Sequence, residues 1–281
     1  MSEVDDFVWE CSQDLLDDDF HTKVDTGHWQ GLKDVPHTQT RELQYKQFDY
    51  QIPETMGKLL DEVKPNYPWA EDHFQERVGG EPLNPGEQYK NWPWYKGGVE
   101  DHKKTGTFSH TYMERYWPKQ ANGGQMYGYD YGQPSDDHRG IRYYYGDLQD
   151  VVDLLAREPT TRQAYLPVWF PEDTGACGVE GQRVPCSLGY HFMMRDGKLN
   201  CMYHMRSCDL IRYFRDDVYL TCRLVQWVLE RLQARNDVVK SEQGVEYLAW
   251  SDVSPGTLYM SIASLHIFEG DVLSLRRKHE S

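Results

Sequence analysis

The dipeptide Asp196-Gly197, set between the apolar runs 186–194 and 199–206, constrains this chain more than any other feature. Asp-Gly between two such runs calls for a two-residue hairpin, because both turn positions need a backbone conformation that these residues tolerate. The step Pro185-Cys186 opens the hairpin, and Met205-Arg206-Ser207-Cys208-Asp209 closes it. From about 215 to 235, Val218, Leu220, Thr221, Leu224, Val225, Trp227, Val228 and Leu232 form a helical pattern that is apolar nearly all round. That pattern implies a buried central helix. A thiol, an arginine beside a hydroxyl and the acidic pair Asp216-Asp217 therefore follow one another along a single hairpin-and-helix unit.

Elsewhere the pattern is uneven. Residues 1 to about 60 are polar and acidic, with Asp17-Asp18-Asp19, and read as an irregular arm with one or two short helices. Residues 60–125 are crowded with turn formers but also carry Trp92, Trp94, Tyr95, Tyr112, Tyr116 and Trp117, so this region is expected to pack onto something. Asp147 is placed to cap a helix with Leu148, Val151, Val152, Leu154 and Leu155 on one face. Residues 163–170 read as a strand, and Pro255-Gly256 turns into a last strand from Thr257 to Phe268. The resulting division is a polar arm over 1–60 and one domain over 61–281.

At 281 residues and 39% hydrophobic content the chain can bury a full core. No apolar run approaches the roughly 20 residues of a membrane span, and the N-terminal residues are acidic, so a soluble, cytoplasmic protein is expected. The net charge of −15 argues against nucleic acid or an anionic membrane as partner. It leaves room for a small phosphorylated ligand, since a few local arginines suffice to grip one phosphate. The six cysteines show no paired spacing, which favours reduced thiols and suggests no metal site.

The order Cys186, then Arg206-Ser207-x-Asp209, then Asp217, then Ser264-Leu265-His266 resembles the thymidylate synthase superfamily. Upstream, Gly124-Gln125-Met126-Tyr127-Gly128 looks like that family's Gly-x-x-Tyr-Gly, and Glu158-Pro159-Thr160-Thr161-Arg162-Gln163 is similar to its Asp-Pro-x-Ser-Arg-Arg. The resemblance covers residues 124 to about 270. It implies an α+β fold with a mixed sheet and a buried central helix, a sheet-to-sheet homodimer, and 5,10-methylenetetrahydrofolate as cofactor. By resemblance Cys186 is the nucleophile that adds to C6 of a pyrimidine, a role suited to a thiolate, which adds and later leaves. Arg206 and Ser207 would hold the 5′-phosphate, and Arg162 would reach in from the partner subunit. Tyr127, Asp209 and His266 would line the substrate site. A glutamate is needed as general base; Glu87 in Leu83-Asn84-Pro85-Gly86-Glu87 is assigned, with Glu114 as competitor.

Asp217 discriminates within that family. Uracil readers carry Asn at the matching place, because an amide both accepts from N3–H and donates to O4. Cytosine presents the opposite edge, an amino donor beside an N3 acceptor, and a carboxyl group that shares a proton with N3 matches it. The resemblance therefore points to the deoxycytidylate hydroxymethylase branch, with Asp216 as the reader if the register slips by one. Ser187 stands where the synthases follow the nucleophile with His, His191 stands where they have Gln, and Phe268 replaces a Tyr that touches the 3′-hydroxyl. The last change keeps CMP open beside dCMP. Only 13 residues follow Phe268, too few at about 3.5 Å each for a long closing tail. That favours water over hydride, and a hydroxymethyl over a methyl product. A reading of another class is a nucleotide-binding relative that kept the fold and lost the chemistry, for which Cys186 would be dispensable.

Overall fold

The computed structural model describes residues 2–25, 39–92, 108, 110–119, 146–171, 173–175, 184–235 and 249–280. Its frame is a seven-stranded mixed sheet in the order β1 (Thr22–Asp25), β2 (Gln39–Gln51), β7 (Ser254–Phe268), β5 (Lys198–Met205), β4 (Ser187–Arg195), β3 (Tyr165–Pro167), with β6 (Cys208–Asp209) paired to β7. Only the pairs of β7 with β5 and β6 are parallel. The β4–β5 hairpin turns at Asp196 and Gly197, with φ of 51° and 69°. Two successive left-handed residues are what a turn matching the strand twist requires.

The helix α6 (Phe214–Gln233) buries fifteen of its twenty residues. It lies on β5 and β7, with further contacts to α2 (Met56–Val63), α3 (Trp69–Val78) and α5 (Leu148–Arg157). Val218, Leu224, Val225 and Val228 are fully enclosed; each such side chain contributes about 1.5–3 kcal/mol of apolar burial. Arg223 is held by Glu71 of α3, Nε to Oε2 at 3.0 Å, so α3 and α6 are joined by charge as well as packing.

The first sixty residues are not an irregular arm. Residues 3–16 form α1 (Glu3–Leu16), opened by a reciprocal Ser2–Asp5 cap, with Val4, Cys11 and Leu15 buried. β2 pairs along its length with β7 and sends Leu43, Phe48 and Tyr50 into the core. A boundary at residue 60 would cut the sheet, so β2 belongs to the same body as the strands that follow. Two smaller differences concern later elements. The strand expected over 163–170 is only Tyr165–Pro167, because Pro167 has no N–H to extend the ladder. Within the turn-rich region, α2 and α3 are framed by Lys64 in a left-handed cap and by Pro65 and Pro68. The last element, α7 (Val272–Glu280), packs on α1, where His279 Nδ1 lies 2.6 Å from Gln13 Nε2 and its ring 4.0 Å from that of Trp9.

Candidate active site

Cys186 stands just before β4 and is exposed, whereas Cys11, Cys201, Cys208 and Cys222 are buried. Burial pushes the Cys11 thiol up to about 12 and raises the other three as well, so none of these four is suited to act as a thiolate. The backbone around Cys186 is fixed from the end of β5. Arg206 N donates to the Cys186 carbonyl at 2.9 Å, Arg206 Nε to the Pro185 carbonyl at 2.8 Å and Nη2 to the Val184 carbonyl at 3.0 Å. Among the described residues Nη1 has no hydrogen-bond partner. The Ser207 hydroxyl likewise has none among them.

Ser187, directly after the thiol, points inward and is fully buried. Its Oγ is 2.9 Å from the Tyr112 hydroxyl and also hydrogen-bonded to that of Tyr203. Tyr112 lies on a short helix, α4 (Tyr112–Tyr116), and Tyr203 on β5. Tyr203 in turn acts on Asp217, in the first turn of α6, holding its carboxyl down, and Cys208 Sγ lies 3.7 Å from Asp217 Oδ2. The Cys186 and Asp217 charges both act on Tyr112 and on Cys208, so thiol and carboxyl are within electrostatic reach of the same two side chains.

Burial pushes the Asp217 carboxyl up to about 7; Arg77 of α3 pulls it down, Asp216 pushes it up, and the hydrogen bonds from Cys208 and Tyr203 pull it down. At neutral pH it is therefore both a proton donor and a proton acceptor. Its neighbour Asp216 is committed elsewhere, accepting from Asn66 N at 2.8 Å and Asn66 Nδ2 at 2.7 Å. A register slip that would make Asp216 the reader is thus at odds with the packing.

A second cluster sits where β6 meets β7. Asp209 and His266 are register partners. Asp209 Oδ1 accepts from the backbone N–H of Ile211 and Arg212 at 3.0 Å each, which leaves Oδ2 buried without a hydrogen bond, as is His266 Nδ1. Burial raises the Asp209 carboxyl and lowers the His266 imidazole, each tempered by the other. The His266 ring meets Phe268 edge-on at 5.6 Å, and the Arg212 guanidinium stands 4.8 Å over the Phe268 ring.

Other sequence candidates lie apart from these clusters. Arg162 is exposed ahead of β3, and its carbonyl accepts from His191 Nε2 at 3.0 Å, so His191 serves the β3–β4 edge. Glu87 is exposed at the start of a 3-10 turn, Glu87–Asn91. That turn is anchored by the Glu76 carboxylate, which accepts from Gln88 N at 2.9 Å and would meet any Cβ at Gly86 within 2.6 Å. Glu114 caps α4 through Thr111 and accepts from Asn84 Nδ2 at 3.0 Å on both oxygens. Burial raises its carboxyl all the same. Tyr127 lies outside the described residues.

Sequence reasoning gave no role to Arg77, Tyr112 or Tyr203. Arg77 had a readable signal, a lone cation in the apolar stripe Ala70, Phe74, Val78 of a short helix. Tyr112 sat in the run Tyr-Met-Glu-Arg-Tyr-Trp that had been read for Glu114 alone. Tyr203 had none, since an inward tyrosine in a strand is ordinary core.

Residues 89–214 match the family model described as thymidylate synthase. That span holds Cys186, Arg206 and Asp209 and ends before Asp217 and His266. The bifunctional dihydrofolate reductase-thymidylate synthase of Plasmodium chabaudi is 28% identical over 92 residues, 31% of this chain and 15% of that protein. The chain thus matches well under a fifth of the length of that relative. Both findings support the thymidylate synthase superfamily for the central part of the chain.

Proposed function

We propose that this protein is a folate-dependent one-carbon transferase that hydroxymethylates C5 of a cytidine 5′-monophosphate, dCMP above all. One observation carries the reading: Asp217, with a carboxyl pushed up to about 7, is within electrostatic reach of the same two side chains as the exposed Cys186 thiol. A neutral carboxyl donates its proton to N3 of cytosine while its other oxygen accepts from the 4-amino group. Uracil, with a hydrogen on N3 and an oxygen at position 4, offers the wrong edge.

The chemistry follows from that pairing. The Cys186 thiolate forms a bond to C6, the C5–C6 π pair moves to C4–C5, the C4–N3 π pair moves onto N3, and N3 takes the proton from Asp217. The adduct is a neutral enamine, nucleophilic at C5, and Asp217 is left as a carboxylate. Arg206 and Ser207 bind the 5′-phosphate, and Asp209 with His266 meets the sugar through Oδ2 and Nδ1. A carboxylate accepts the C5 proton, and Glu87 takes that role once its turn is brought up to the Cys186 site, from which it stands apart here. 5,10-Methylenetetrahydrofolate supplies, when bound, an electrophilic one-carbon unit. Trp92 fits the flat ring of such a cofactor. It stacks on Tyr213 at 5.2 Å beside the start of α6, and its indole N–H is buried without a hydrogen bond.

The sheet face opposite α6 supports a homodimer: it exposes Met202 and Tyr259 on adjacent strands, with Tyr165 at the edge near Arg162. In that assembly Arg162 reaches the partner's phosphate.

The test is product analysis with dCMP, CMP and dUMP offered side by side with methylenetetrahydrofolate, together with tritium release from 5-tritiated dCMP. Cys186→Ala is expected to reduce release by at least about 10³-fold. Release that survives this substitution removes the covalent adduct, and a methyl product removes the water step.

A further inference from the structure

Arg77 is 5% exposed, yet among the described residues no carboxylate lies within 4 Å of it. Its surroundings are aromatic. The guanidinium stands 4.1 Å over the Tyr112 ring and holds the Tyr116 hydroxyl's titration down. Tyr116 meets Tyr190 edge-on at 5.9 Å, and Tyr190 stacks on Tyr203 at 4.5 Å and 10°. Nε donates to His73 Nε2 at 3.0 Å, so the imidazole is neutral there, in keeping with its pKa lowered to about 4 by burial and by Arg77. Cation–π contacts offset part of the cost of burying a charge, but a buried cation without an anion remains expensive. The hydroxyl chain runs Tyr112 to Ser187 and Ser187 to Tyr203, and the carboxyl that Tyr203 and Arg77 both act on is Asp217.

We propose that Arg77 is the positioning residue of this site: a buried counter-charge that works through the Tyr112, Ser187 and Tyr203 hydroxyls to make Asp217 an effective proton donor to the base. The inference deepens the cytidylate reading and rests on it. Attack of Cys186 at C6 requires N3 to receive the Asp217 proton, and a carboxyl that holds its proton too tightly gives it up poorly. Among the described residues, the charged or titratable groups around Asp217 are, by element, Arg77 on α3, Tyr112 on α4, Cys186 before β4, Tyr203 on β5, Cys208 on β6 and Asp216 on α6. Arg77 is the cation in this set; Asp216 opposes ionisation of Asp217, whereas Cys208 favours it through its hydrogen bond.

The experiment reads the carboxyl directly. Protein labelled with ¹³C at the Asp carboxyl carbons is titrated by NMR without ligand, with Asp217→Asn assigning the signal. Arg77→Lys, Arg77→Gln, Arg77→Leu and Tyr203→Phe are compared; the two neutral replacements of different shape guard against one of them misfolding. Arg77→Lys should keep the midpoint near that of the parent. Arg77→Gln and Arg77→Leu should raise it by about one unit or more, and Tyr203→Phe should raise it with the cation still in place. With dCMP, the limb of kcat/KM that falls as pH rises should move up in step in the neutral variants, kcat should fall about tenfold or more, and KM should change little. An unmoved midpoint in Arg77→Gln or Arg77→Leu overturns the proposal, as does an unmoved midpoint in Tyr203→Phe. If no nucleotide turns over, the reaction assignment fails while the titration still decides the role of Arg77.

Discussion

The two polar clusters of the candidate site are built on opposite plans, and in the proposed reading the first meets the base and the second the sugar. At the base end, Tyr112, Ser187, Tyr203 and Asp217 satisfy one another in a closed chain of hydroxyls backed by Arg77. At the sugar end, Asp209 Oδ2 and His266 Nδ1 are buried without a hydrogen bond, beside an apolar Phe268. Buried polar groups are rarely left unpaired without cause. The base end has its geometry before any ligand arrives; the sugar end is completed by one. Discrimination between bases should therefore be sharp and depend on proton position, while discrimination between sugars should be modest and depend on single contacts.

The largest effect expected of that contrast is at Asp217. Asp217→Asn should lower kcat/KM for dCMP by about 10²–10⁴-fold, because the proton donor to N3 is lost, and should bring dUMP turnover into the measurable range. A dCMP/dUMP ratio unchanged in a competition assay means that the reader lies elsewhere. Asp216→Ala is the control one residue away. It should cost about 1–3 kcal/mol of stability in urea unfolding, because Asn66 loses its acceptor, with the dCMP/dUMP ratio intact.

A second consequence concerns pH. The folded Asp217 carboxyl titrates near 7 against an ordinary 3.8, so the folded state binds this proton more tightly than the unfolded chain does. Its contribution to stability is full below about 4, is lost as pH rises through 7, and is flat above. Asp209, Asp216 and Glu114, also raised by burial, act in the same sense. The Asp217 share is therefore read as a difference. Relative to the parent, Asp217→Asn should gain about 1–2 kcal/mol between pH 4 and pH 8, part of the full linkage because this carboxyl opens onto the candidate site. An equal slope in both proteins removes the strained proton at the base end.

The same contrast explains what the sequence made legible. The hairpin, α6, α5 and β7 are readable because each carries a local signal: Asp196-Gly197, an apolar helical run, the Asp147 cap, the Pro255-Gly256 turn. The strand β2 is hidden by its own geometry. Tyr45, with φ of 54°, interrupts the pairing with β7 without shifting its register, and the inward set runs Leu43 and then Phe48, Tyr50, changing phase there. No period of two survives in its thirteen residues, and polar side chains on the outer face complete the disguise. In the site, Cys186, Arg206 and Asp217 could be named because their spacing is linear. Arg77 and Tyr112 could not, since their role exists only once α3 and α4 are packed beneath β4 and β5.

The smallest expected effect tests the sugar end. Phe268 presents an apolar ring to His266 and carries the Arg212 guanidinium on its face. Phe268→Tyr adds one hydroxyl beside His266, whose Nδ1 is buried without a hydrogen bond, so little rearrangement is needed to use it. One hydrogen bond of this kind is worth a net of about 0.5–1.5 kcal/mol, and KM for dCMP should fall roughly two- to tenfold while kcat and the dCMP/dUMP ratio hold. A gain confined to CMP would assign the contact to the 2′-hydroxyl. A change in the base ratio would instead mean that the two ends are coupled, and that the closed hydroxyl chain around Asp217 is not set before the sugar binds.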